Sequence, residues 1–343
     1  MTILVTGHKG YIGTVMVPML IERGYSVVGL DTDLFAACSF TENGIASVPE
    51  LTMDVRDVTA EDLEGVDAVI HLANLSNDPL GNLNPDLTYA INHRASVQLA
   101  KAAKAAGVKR FLFSSSCSLY GAAAGEDMLT EEAPFNPVTP YGEAKVLAER
   151  DLAPLADETF SPVYMRNATA YGMSPRLRFD LVLNNLVAWA ITTGEIYMKS
   201  DGTPWRPIVH IEDISRAFIA ALEAPREVVH NEAFNVGRSD ENYQIREIAQ
   251  AVRDVVPDCD IEYAPDGGPD SRSYRVDFSK IREALPDFEP QWTARRGAQE
   301  VYEALRDADL TPDEFEGPRY RRIDHIKQLV RNGRLSEDLR WDA

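Results

Sequence analysis

The sequence has 343 residues, 45% of them hydrophobic, so it can bury a large core and is not a disordered chain. Its 34 basic and 54 acidic residues give a net charge of −20, which disfavours binding to nucleic acid or to an anionic membrane. The three cysteines, Cys38, Cys117 and Cys259, lack the spacing of a metal cluster or a disulfide framework, which fits a reducing cytosol. The sequence contains neither a signal-peptide pattern nor an apolar run of about 20 residues, so we expect a cytoplasmic protein that does not enter the membrane.

The first half of the chain alternates short apolar segments with helix-like segments. We predict strands over Ile3–Thr6, Ser26–Asp31, Ser47–Met53, Ala68–Leu72, Arg110–Ser115 and Pro162–Arg166, and helices over Tyr11–Arg23, Asp86–Ala106 and Tyr141–Ala156. Apolar strands separated by helices indicate a parallel sheet that is covered on both faces, with ligands at the carboxyl edge.

Beyond about Tyr171 the pattern is less regular. Proline and glycine cluster at 200–207 and 265–269, which predicts a smaller lobe over residues 172–305, after a sheet domain over 1–171 to which later segments return. Residues 306–343 form a basic, partly helical appendage that contains Arg319, Arg321, Arg322, Lys327, Arg331 and Arg334. A solvated helix that packs on its own protein is favoured there over a partner-binding segment.

A glycine-rich turn joins the first predicted strand to the first helix. Gly7, Gly10 and Gly13 allow a tight turn whose backbone N–H groups can approach a pyrophosphate at the start of the helix. The next strand ends in Asp31, at the spacing expected for a carboxylate that holds an adenosine ribose. A carboxylate would repel a 2′-phosphate, so the pattern favours NAD over NADP.

The spacing Gly7-x-x-Gly10-x-x-Gly13 resembles that of the extended short-chain dehydrogenase/reductases, a family of NAD-dependent nucleotide-sugar epimerases and dehydratases that includes UDP-galactose 4-epimerase. The resemblance runs from about residue 2 to about 305 and leaves the appendage unexplained. It implies an α/β fold: a Rossmann-type doubly wound parallel sheet that binds NAD, with a smaller C-terminal substrate-binding lobe. It further implies cofactor contacts at Tyr11, Ile12, Asp54, Val55, Leu72, Ala73, Asn92, Ser114, Tyr141 and Lys145, in addition to the three glycines and Asp31.

A Tyr-x-x-x-Lys pattern lies on a predicted helix, where Tyr141 and Lys145 share one face. A phenol with its ordinary pKa of about 10 is a poor base, and a nearby ammonium together with a cationic nicotinamide favours the phenolate. Tyr141 could then take a proton from a sugar hydroxyl while the carbon gives hydride to NAD. The serine-rich strand end before this helix resembles the family segment whose third serine, here Ser116, bonds the reacting hydroxyl.

The resemblance also implies substrate contacts in the second half. Arg206 and Arg272 match family arginines that bind the substrate diphosphate, although a single arginine is more often a surface ion pair. The segment 184–186, with Asn185, is similar to the stretch that lines the nucleotide base. Thr169 stands where the family has asparagine, and the loop 74–81 also departs from the family pattern. The candidates for shaping the sugar pocket are therefore Asn77, Asp78, Thr169, Arg176 and Arg178, and we also expect Ser116 and Ser118 to contact the substrate.

The residues after Ser116 bear on the reaction. Nucleotide-sugar 4,6-dehydratases carry an Asp-Glu pair where this chain has Cys117 and Ser118, so the resemblance favours an epimerase that acts at C4. Cys117 is better interpreted as a small buried hydrophobe than as a base. A dehydratase, a dehydrogenase or reductase, and a pyranose–furanose mutase remain alternatives, and the retained Ser116, Tyr141 and Lys145 disfavour a non-catalytic NAD-binding regulator. The family often dimerises through a four-helix bundle, which here would use 86–106 and 141–156, so we expect a homodimer.

Overall fold

The computed structural model describes residues 1–41, 43–76, 78–122, 127–264 and 272–342. The strands are β1 (Thr2–Thr6), β2 (Ser26–Asp31), β3 (Glu50–Thr52), β4 (Ala68–His71), β5 (Arg110–Ser116), β6 (Ser161–Asn167), β7 (Thr169–Tyr171), β8 (Glu195–Met198), β9 (Trp205–His210), β10 (Glu232–Val236), β11 (Asn242–Gln244) and β12 (Asp260–Tyr263). The predicted site residue Asn77 and the cluster at 265–269 lie outside the described residues.

The α-helices are α1 (Gly13–Glu22), α2 (Asp78–Leu83), α3 (Pro85–Thr88), α4 (Ser96–Ala105), α5 (Pro140–Leu152), α6 (Val182–Thr193), α7 (Ile211–Glu223), α8 (Arg226–Val229), α9 (Ile245–Arg253), α10 (Ser279–Ala284), α11 (Ala294–Leu305), α12 (Pro312–Phe315) and α13 (Arg322–Arg331). Short 3₁₀ helices span Val55–Asp57, Glu61–Leu63, Cys117–Tyr120 and Ala153–Leu155. A π-helical segment, Tyr89–Ala95, joins α3 to α4. The predicted helix over 86–106 is therefore observed as one continuous helical rod, part of which has the wider π-helical geometry.

The central sheet has the predicted architecture. Within the described residues, seven strands form a parallel sheet in the order β3-β2-β1-β4-β5-β6-β10. The strand β1 buries both of its faces, because Ile3 and Val5 belong to one apolar cluster and Leu4 to the other. The doubly wound, Rossmann-type fold is therefore confirmed. The strand order reverses between β1 and β4, which is where such sheets bind ligands at the carboxyl edge.

Two predicted boundaries differ from the observed ones for local reasons. The strand predicted over 47–53 is reduced to β3, because Pro49, which precedes it, has no N–H to extend the ladder. The helix predicted from Tyr11 begins at Gly13, because Tyr11 and Ile12 still belong to the glycine-rich turn.

A smaller lobe packs beside the sheet. Its core joins apolar residues of α6, α9, α11 and α12, such as Leu186, Ile248, Val301 and Phe315. Two segments from the second half return to the sheet domain: β10 is an edge strand of the central sheet, and α7 packs against α1. The proposed boundaries at 171 and 305 stay a prediction.

The last segment of the chain packs on the sheet domain. Ile326 and Leu329 of α13 lie in the same apolar cluster as Leu4, so this helix is anchored by its own protein. Its first residue, Arg322, is buried, in contrast to the solvated helix that the sequence predicts. In the part of the chain described here, no helix has both the length and the apolar character of a membrane span.

Candidate active site

A deep cleft of about 680 Å³ opens at the carboxyl edge of the sheet, within the usual size range of small-molecule sites. The glycine-rich turn and the ends of β2, β4 and β5 form one side of the cleft. The start of α5, the strand β7 and the lobe helix α6 form the other. Across the described ranges, no group of three or more His, Cys, Asp or Glu is arranged to hold a metal ion.

The glycine-rich turn fits a dinucleotide diphosphate. Gly7 has a φ of 72°, in the left-handed region. A Cβ at Gly13 would lie 2.3 Å from the carbonyl oxygen of Gly7, so only glycine lets the helix start this close to the turn. Gly10, Tyr11 and Ile12 line the cleft with the two other glycines. Among the described residues, the backbone N–H groups of Tyr11 and Ile12 have no acceptor, which leaves them available to an anion.

Asp31 ends β2 in the wall of the cleft. Its two carboxylate oxygens accept backbone N–H groups from Lys9, at 3.0 Å, and Asp33, at 2.9 Å. Burial raises its pKa, although both hydrogen bonds oppose this shift. The carboxylate is thus held rigidly at the position predicted for an adenosine ribose, and its charge would oppose a 2′-phosphate.

The other cofactor residues that the sequence predicts line the same cleft, with one exception. Asp54, Val55, Leu72, Ala73, Ser114, Tyr141 and Lys145 all contribute to its wall. The exception is Asn92, which is fully buried at 0% exposure. Its side chain accepts the N–H of Leu75 at 2.8 Å and donates to the carbonyl of Leu75 at 3.0 Å. Asn92 thus positions the loop after β4, and its predicted cofactor contact stays a prediction.

The three predicted catalytic residues meet in the cleft. Ser116 ends β5, and its Oγ donates to the Oγ of Ser118 at 2.9 Å. Tyr141 and Lys145 lie one turn apart on α5, with the Lys145 Nζ 5.6 Å from the centre of the phenol ring. This Nζ also donates to the carbonyl oxygen of Ser114 at 2.5 Å, which fixes the ammonium at the end of β5.

The start of α5 is fixed by Thr139, whose Oγ1 accepts the N–H of Gly142 at 3.2 Å. The same hydroxyl donates to Asp78 at 2.7 Å and so connects α5 to α2 across the mouth of the cleft. Asp78 also forms an ion pair with Arg272. Two residues that the sequence places far apart are thereby brought together above Tyr141.

Burial dominates the electrostatics of the catalytic pair in the protein without NAD. It raises the pKa of Tyr141 to about 12, and the Ser116 hydroxyl and the Arg178 guanidinium only partly oppose it. Burial likewise lowers the pKa of Lys145 to about 7, against the attraction of Glu149. The predicted shift of Tyr141 towards an acidic phenol, which also depends on a cationic nicotinamide, stays a prediction.

Lys145→Met is expected to stabilise the protein without bound cofactor by roughly 2–4 kcal/mol at neutral pH, since one pKa unit corresponds to about 1.4 kcal/mol. The folded-state pKa of about 7 lies below the ordinary lysine value of 10.5, so the folded state holds fewer protons between these pH values. Wild-type stability should therefore rise with pH across this window. Denaturant unfolding at pH 6.5 and 9.5 measures both effects. A variant less stable than wild type at pH 6.5 contradicts the prediction.

A buried ion pair lies beneath the serine-rich end of β5. Glu149 on α5 accepts from Arg166 on β6 at 2.7 Å and from the Ser115 hydroxyl at 2.5 Å. Arg166 also donates to the phenol oxygen of Tyr120 at 3.1 Å. This network connects α5, β5 and β6 behind the catalytic residues. Sequence analysis assigned no role to either charge, because nothing local in the sequence pairs residues 17 apart.

Cys117 lies behind the wall of the cleft. It is fully buried, and its Sγ donates to the carbonyl oxygen of Arg166 at 3.1 Å. Burial raises the pKa of the thiol well above its usual range, so it is not a thiolate at neutral pH. The interpretation as a small buried hydrophobe agrees with this environment.

The predicted substrate residues that the structure describes line the cleft: Ser116, Ser118, Thr169, Arg178, Asn185, Arg206 and Arg272. Arg206 lies over the ring of Tyr274, with 5.8 Å between guanidinium carbon and ring centre, and donates to the carbonyl oxygens of Trp205 and Arg272. The two arginines that the family resemblance assigns to the diphosphate thus adjoin each other in the lobe-side wall.

Arg178 is rigidly held, because it donates to both carboxylate oxygens of Asp180 at 2.8 Å. Two other candidates lie outside the wall. Arg176, predicted to shape the sugar pocket, donates to the carbonyl of Phe35 at 2.8 Å and supports the loop after β2. Asn184 is buried and accepts the N–H of Gly172 at 3.0 Å. Within the predicted base-binding segment, Asn185 and Leu186 therefore line the cleft, and Asn184 does not.

Sequence analysis missed two asparagines in the wall. Both polar atoms of the Asn74 side chain are buried without a hydrogen-bond partner in the described structure, as is Oδ1 of Asn167. Buried amides without partners are costly, so these groups are poised to bond a ligand. The only sequence signal was their position, directly after β4 and at the end of β6.

The cleft combines a glycine-rich turn, an acidic residue at the end of β2 and a Tyr-x-x-x-Lys helix. This combination on a doubly wound, Rossmann-type sheet defines a dinucleotide-dependent enzyme. Residues 3–237, more than half of the chain, match the model of the NAD dependent epimerase/dehydratase family, so the protein belongs to this family.

Curated relatives agree with this membership. The UDP-glucose 4-epimerase of Lactobacillus helveticus is 30% identical over 311 residues, which covers 83% of this chain and 91% of that protein. The UDP-glucuronic acid decarboxylase 1 of Arabidopsis thaliana is 28% identical, with 92% of this chain and 72% of that protein covered. Among solved structures, the UDP-glucose 4-epimerase of Thermotoga maritima with UDP-glucose has 26% identity and a TM-score of 0.77, covering 89% of this chain and 99% of that one. MoeE5 in complex with UDP-glucuronic acid and NAD has 26% identity, a TM-score of 0.75 and the same coverage.

Proposed function

We propose that the protein is an NAD-dependent nucleotide-sugar epimerase that transiently oxidises a sugar hydroxyl at C4. The observation that carries the proposal is the meeting of Ser116, Tyr141 and Lys145 in one cleft with the glycine-rich turn and Asp31. The relatives described above, mainly UDP-glucose 4-epimerases, support the same reaction class.

Each catalytic side chain has a role that its environment supports. Ser116 orients the reacting hydroxyl, and Tyr141 takes up its proton and later returns it. When bound, NAD⁺ supplies the hydride acceptor and a positive charge beside the phenol. Lys145, held at the carbonyl of Ser114, orients its charge towards the same site. The pKa of about 12 for Tyr141 means that the phenol alone is a weak base, so its activity depends on positive charge gathered in the cleft.

The substrate end of the cleft suits a nucleoside diphosphate sugar. Arg206 and Arg272 adjoin each other in its wall, and guanidinium groups bind diphosphates well. Asn185, on α6, is proposed to contact the base. Thr169 and Asp78 are proposed to border the sugar position, together with the unpartnered amide of Asn74 and the unpartnered Oδ1 of Asn167. This combination departs from the family pattern and is proposed to select the sugar.

Epimerisation is preferred over dehydration because of the positions after Ser116. Cys117 points into the core, and the adjacent Ser118 offers a hydroxyl rather than a carboxylate. Two carboxylates line this part of the cleft among the described residues: Asp78 is bonded by Thr139 and Arg272, and Asp180 by Arg178. A keto sugar formed in this cleft would therefore lack a free acid/base pair for elimination and would be reduced again from its other face.

We also propose a cytoplasmic homodimer that associates through the rod 85–105 and α5. These two helices pack side by side, with His93 and Asp151 bonded at 2.7 Å across them. Together they would provide half of a four-helix bundle. Light scattering at micromolar concentration should give the mass of two chains, and the mass of one chain contradicts the dimer.

The test of the reaction is a substrate panel. Purified protein is offered UDP-, GDP-, dTDP- and CDP-hexoses, and the products are identified by mass spectrometry and NMR. The proposal expects a C4 epimer of unchanged mass without accumulation of NADH. Loss of 18 mass units (water) would instead establish a dehydratase, steady NADH release a dehydrogenase, and a furanose product a mutase, and each of these outcomes overturns the epimerase.

A further inference from the structure

The chain beyond α12 crosses one end of the cleft. We name residues 318–342 the C-terminal strap. It contacts the loop after β2 and the 3₁₀ turn after β3, the two segments that carry Asp31 and Asp54. Its polar contacts run from Arg319 to the Ser39 carbonyl at 2.8 Å, from His325 to the Leu34 carbonyl at 3.0 Å, from Arg340 to Asp57 at 3.0 Å, and from Trp341 to the Thr32 carbonyl at 2.7 Å.

Two residues of the strap enter the wall of the cleft. Leu339 is 4% exposed and lines the cleft together with Asp54 and Val55. Arg322, the first residue of α13, lines the cleft on the side of Asp31 and Phe35. The match to the family model ends at residue 237, so neither residue belongs to the part of the chain that the family explains.

Arg322 is a buried cation that forms no ion pair with a carboxylate of the described residues. It is 5% exposed, its Nε has no hydrogen-bond partner, and its guanidinium carbon lies 3.9 Å from the centre of the Phe35 ring. Its guanidinium donates one long hydrogen bond, 3.5 Å, to the carbonyl of Arg176. The carboxylate of Asp180 attracts it, but Arg178 bonds both oxygens of that carboxylate. Burial, together with Arg178, outweighs this attraction and lowers the pKa of Arg322 to about 10.

A buried charge without a counter-ion is costly, and an anion in the cleft would remove that cost. The same cleft holds the free N–H groups of Tyr11 and Ile12, the predicted diphosphate position. On the basis of the proposed NAD-dependent function, we propose that the C-terminal strap completes the dinucleotide site. Arg322 supplies a cation for the dinucleotide's diphosphate, Leu339 adds an apolar contact at the adenosine end, and the cofactor is released only when the strap detaches.

The strap is built so that its end can open without unfolding the core. Ile326 and Leu329 anchor α13 in the apolar cluster behind the sheet. The last residues are held by the polar contacts of Arg340 and Trp341, and also by Leu335 and Leu339, which lie in the same apolar cluster as α13. The Trp341 side chain is 40% exposed. Loss of the two polar contacts would leave Leu339 held by apolar contact and by its local backbone bonds, so that it leaves the cleft more readily while α13 stays packed.

The test measures release and affinity of the dinucleotide and needs no sugar substrate. The double variant Arg340→Ala/Trp341→Ala is expected to release bound NADH about tenfold faster or more, followed by its fluorescence after dilution into excess NAD. Arg322→Met is expected to weaken NAD binding by about tenfold, as loss of a charge-assisted contact predicts, and Arg322→Lys to recover part of it. The matched control is Arg331→Ala, which removes an exposed charge from the same helix and should change neither quantity more than twofold.

Circular dichroism and thermal unfolding establish that each variant is folded. If Arg322→Met is unstable, the double variant still tests the strap, because it leaves the buried part of α13 unchanged. NADH release and NAD affinity within twofold of wild type in both variants overturn the proposal. A wild-type protein that binds no NAD overturns the proposed function itself, so the two failures are distinguishable.

Discussion

Replacing Tyr141 with phenylalanine is expected to lower turnover of the best nucleotide-sugar substrate by about 10²- to 10⁴-fold, the usual contribution of a general acid–base group. The substitution removes one hydroxyl and keeps the ring that packs in the wall of the cleft. Lys145 keeps its bond to the Ser114 carbonyl, and the glycine-rich turn is untouched. NAD affinity should therefore stay within about twofold, so that the loss appears in kcat rather than in cofactor binding.

The measurement is single-turnover product formation by mass spectrometry, with NAD binding followed separately by calorimetry. A matched control is Tyr263→Phe, which removes the hydroxyl from a tyrosine that is 50% exposed and should leave turnover unchanged. Full activity in Tyr141→Phe would exclude the phenol as the acid–base group. Ser116→Ala, which removes the orienting hydroxyl, is expected to lower turnover by a smaller factor, because the proton acceptor remains in place.

The sequence predicted those parts of the site that depend on local geometry. The glycine spacing specifies a close approach between the turn and the helix. This approach requires glycine at position 13, because a Cβ there would clash with the Gly7 carbonyl oxygen. A spacing of four on a helix places Tyr141 and Lys145 on one face whatever the rest of the fold does. The apolar strands likewise predicted the parallel sheet, because only burial on both faces accounts for their composition.

The rest depends on contacts between distant segments. The direction of the Asn92 side chain is decided by the loop at Leu75, which the local helix pattern does not reveal. The pKa of Tyr141 in the protein without NAD is set mainly by burial, which charge reasoning from the sequence alone could not include. The C-terminal strap reaches the cleft through contacts that span almost the whole chain, such as Trp341 with Thr32. Basic residues in a terminal segment gave no indication that Arg322 would be buried.

Glu149→Leu is expected to lower the free energy of unfolding by about 3–5 kcal/mol, because it leaves the buried guanidinium of Arg166 without its partner. Arg166 is 5% exposed and Glu149 6%, so water cannot replace the lost carboxylate. The Ser115 hydroxyl loses its acceptor at the same time. Guanidinium chloride unfolding of the purified protein measures the change, with Glu64→Leu, at an exposed position, as a control that should shift stability by less than about 0.5 kcal/mol.

The double variant Glu149→Leu/Arg166→Met separates the cost of an unpaired charge from the loss of packing. Replacing both members of a buried pair by apolar groups is often neutral, so the double variant should recover most of the stability lost by the single one. A single variant that costs less than about 1 kcal/mol, or a double variant no more stable than the single one, contradicts this account. Glu149 also connects α5 to β5 through the Ser115 hydroxyl, and these two elements carry Tyr141, Lys145 and Ser116. If the double variant is stable but its substrate turnover is slow, the two charges would therefore position the catalytic residues in addition to stabilising the fold.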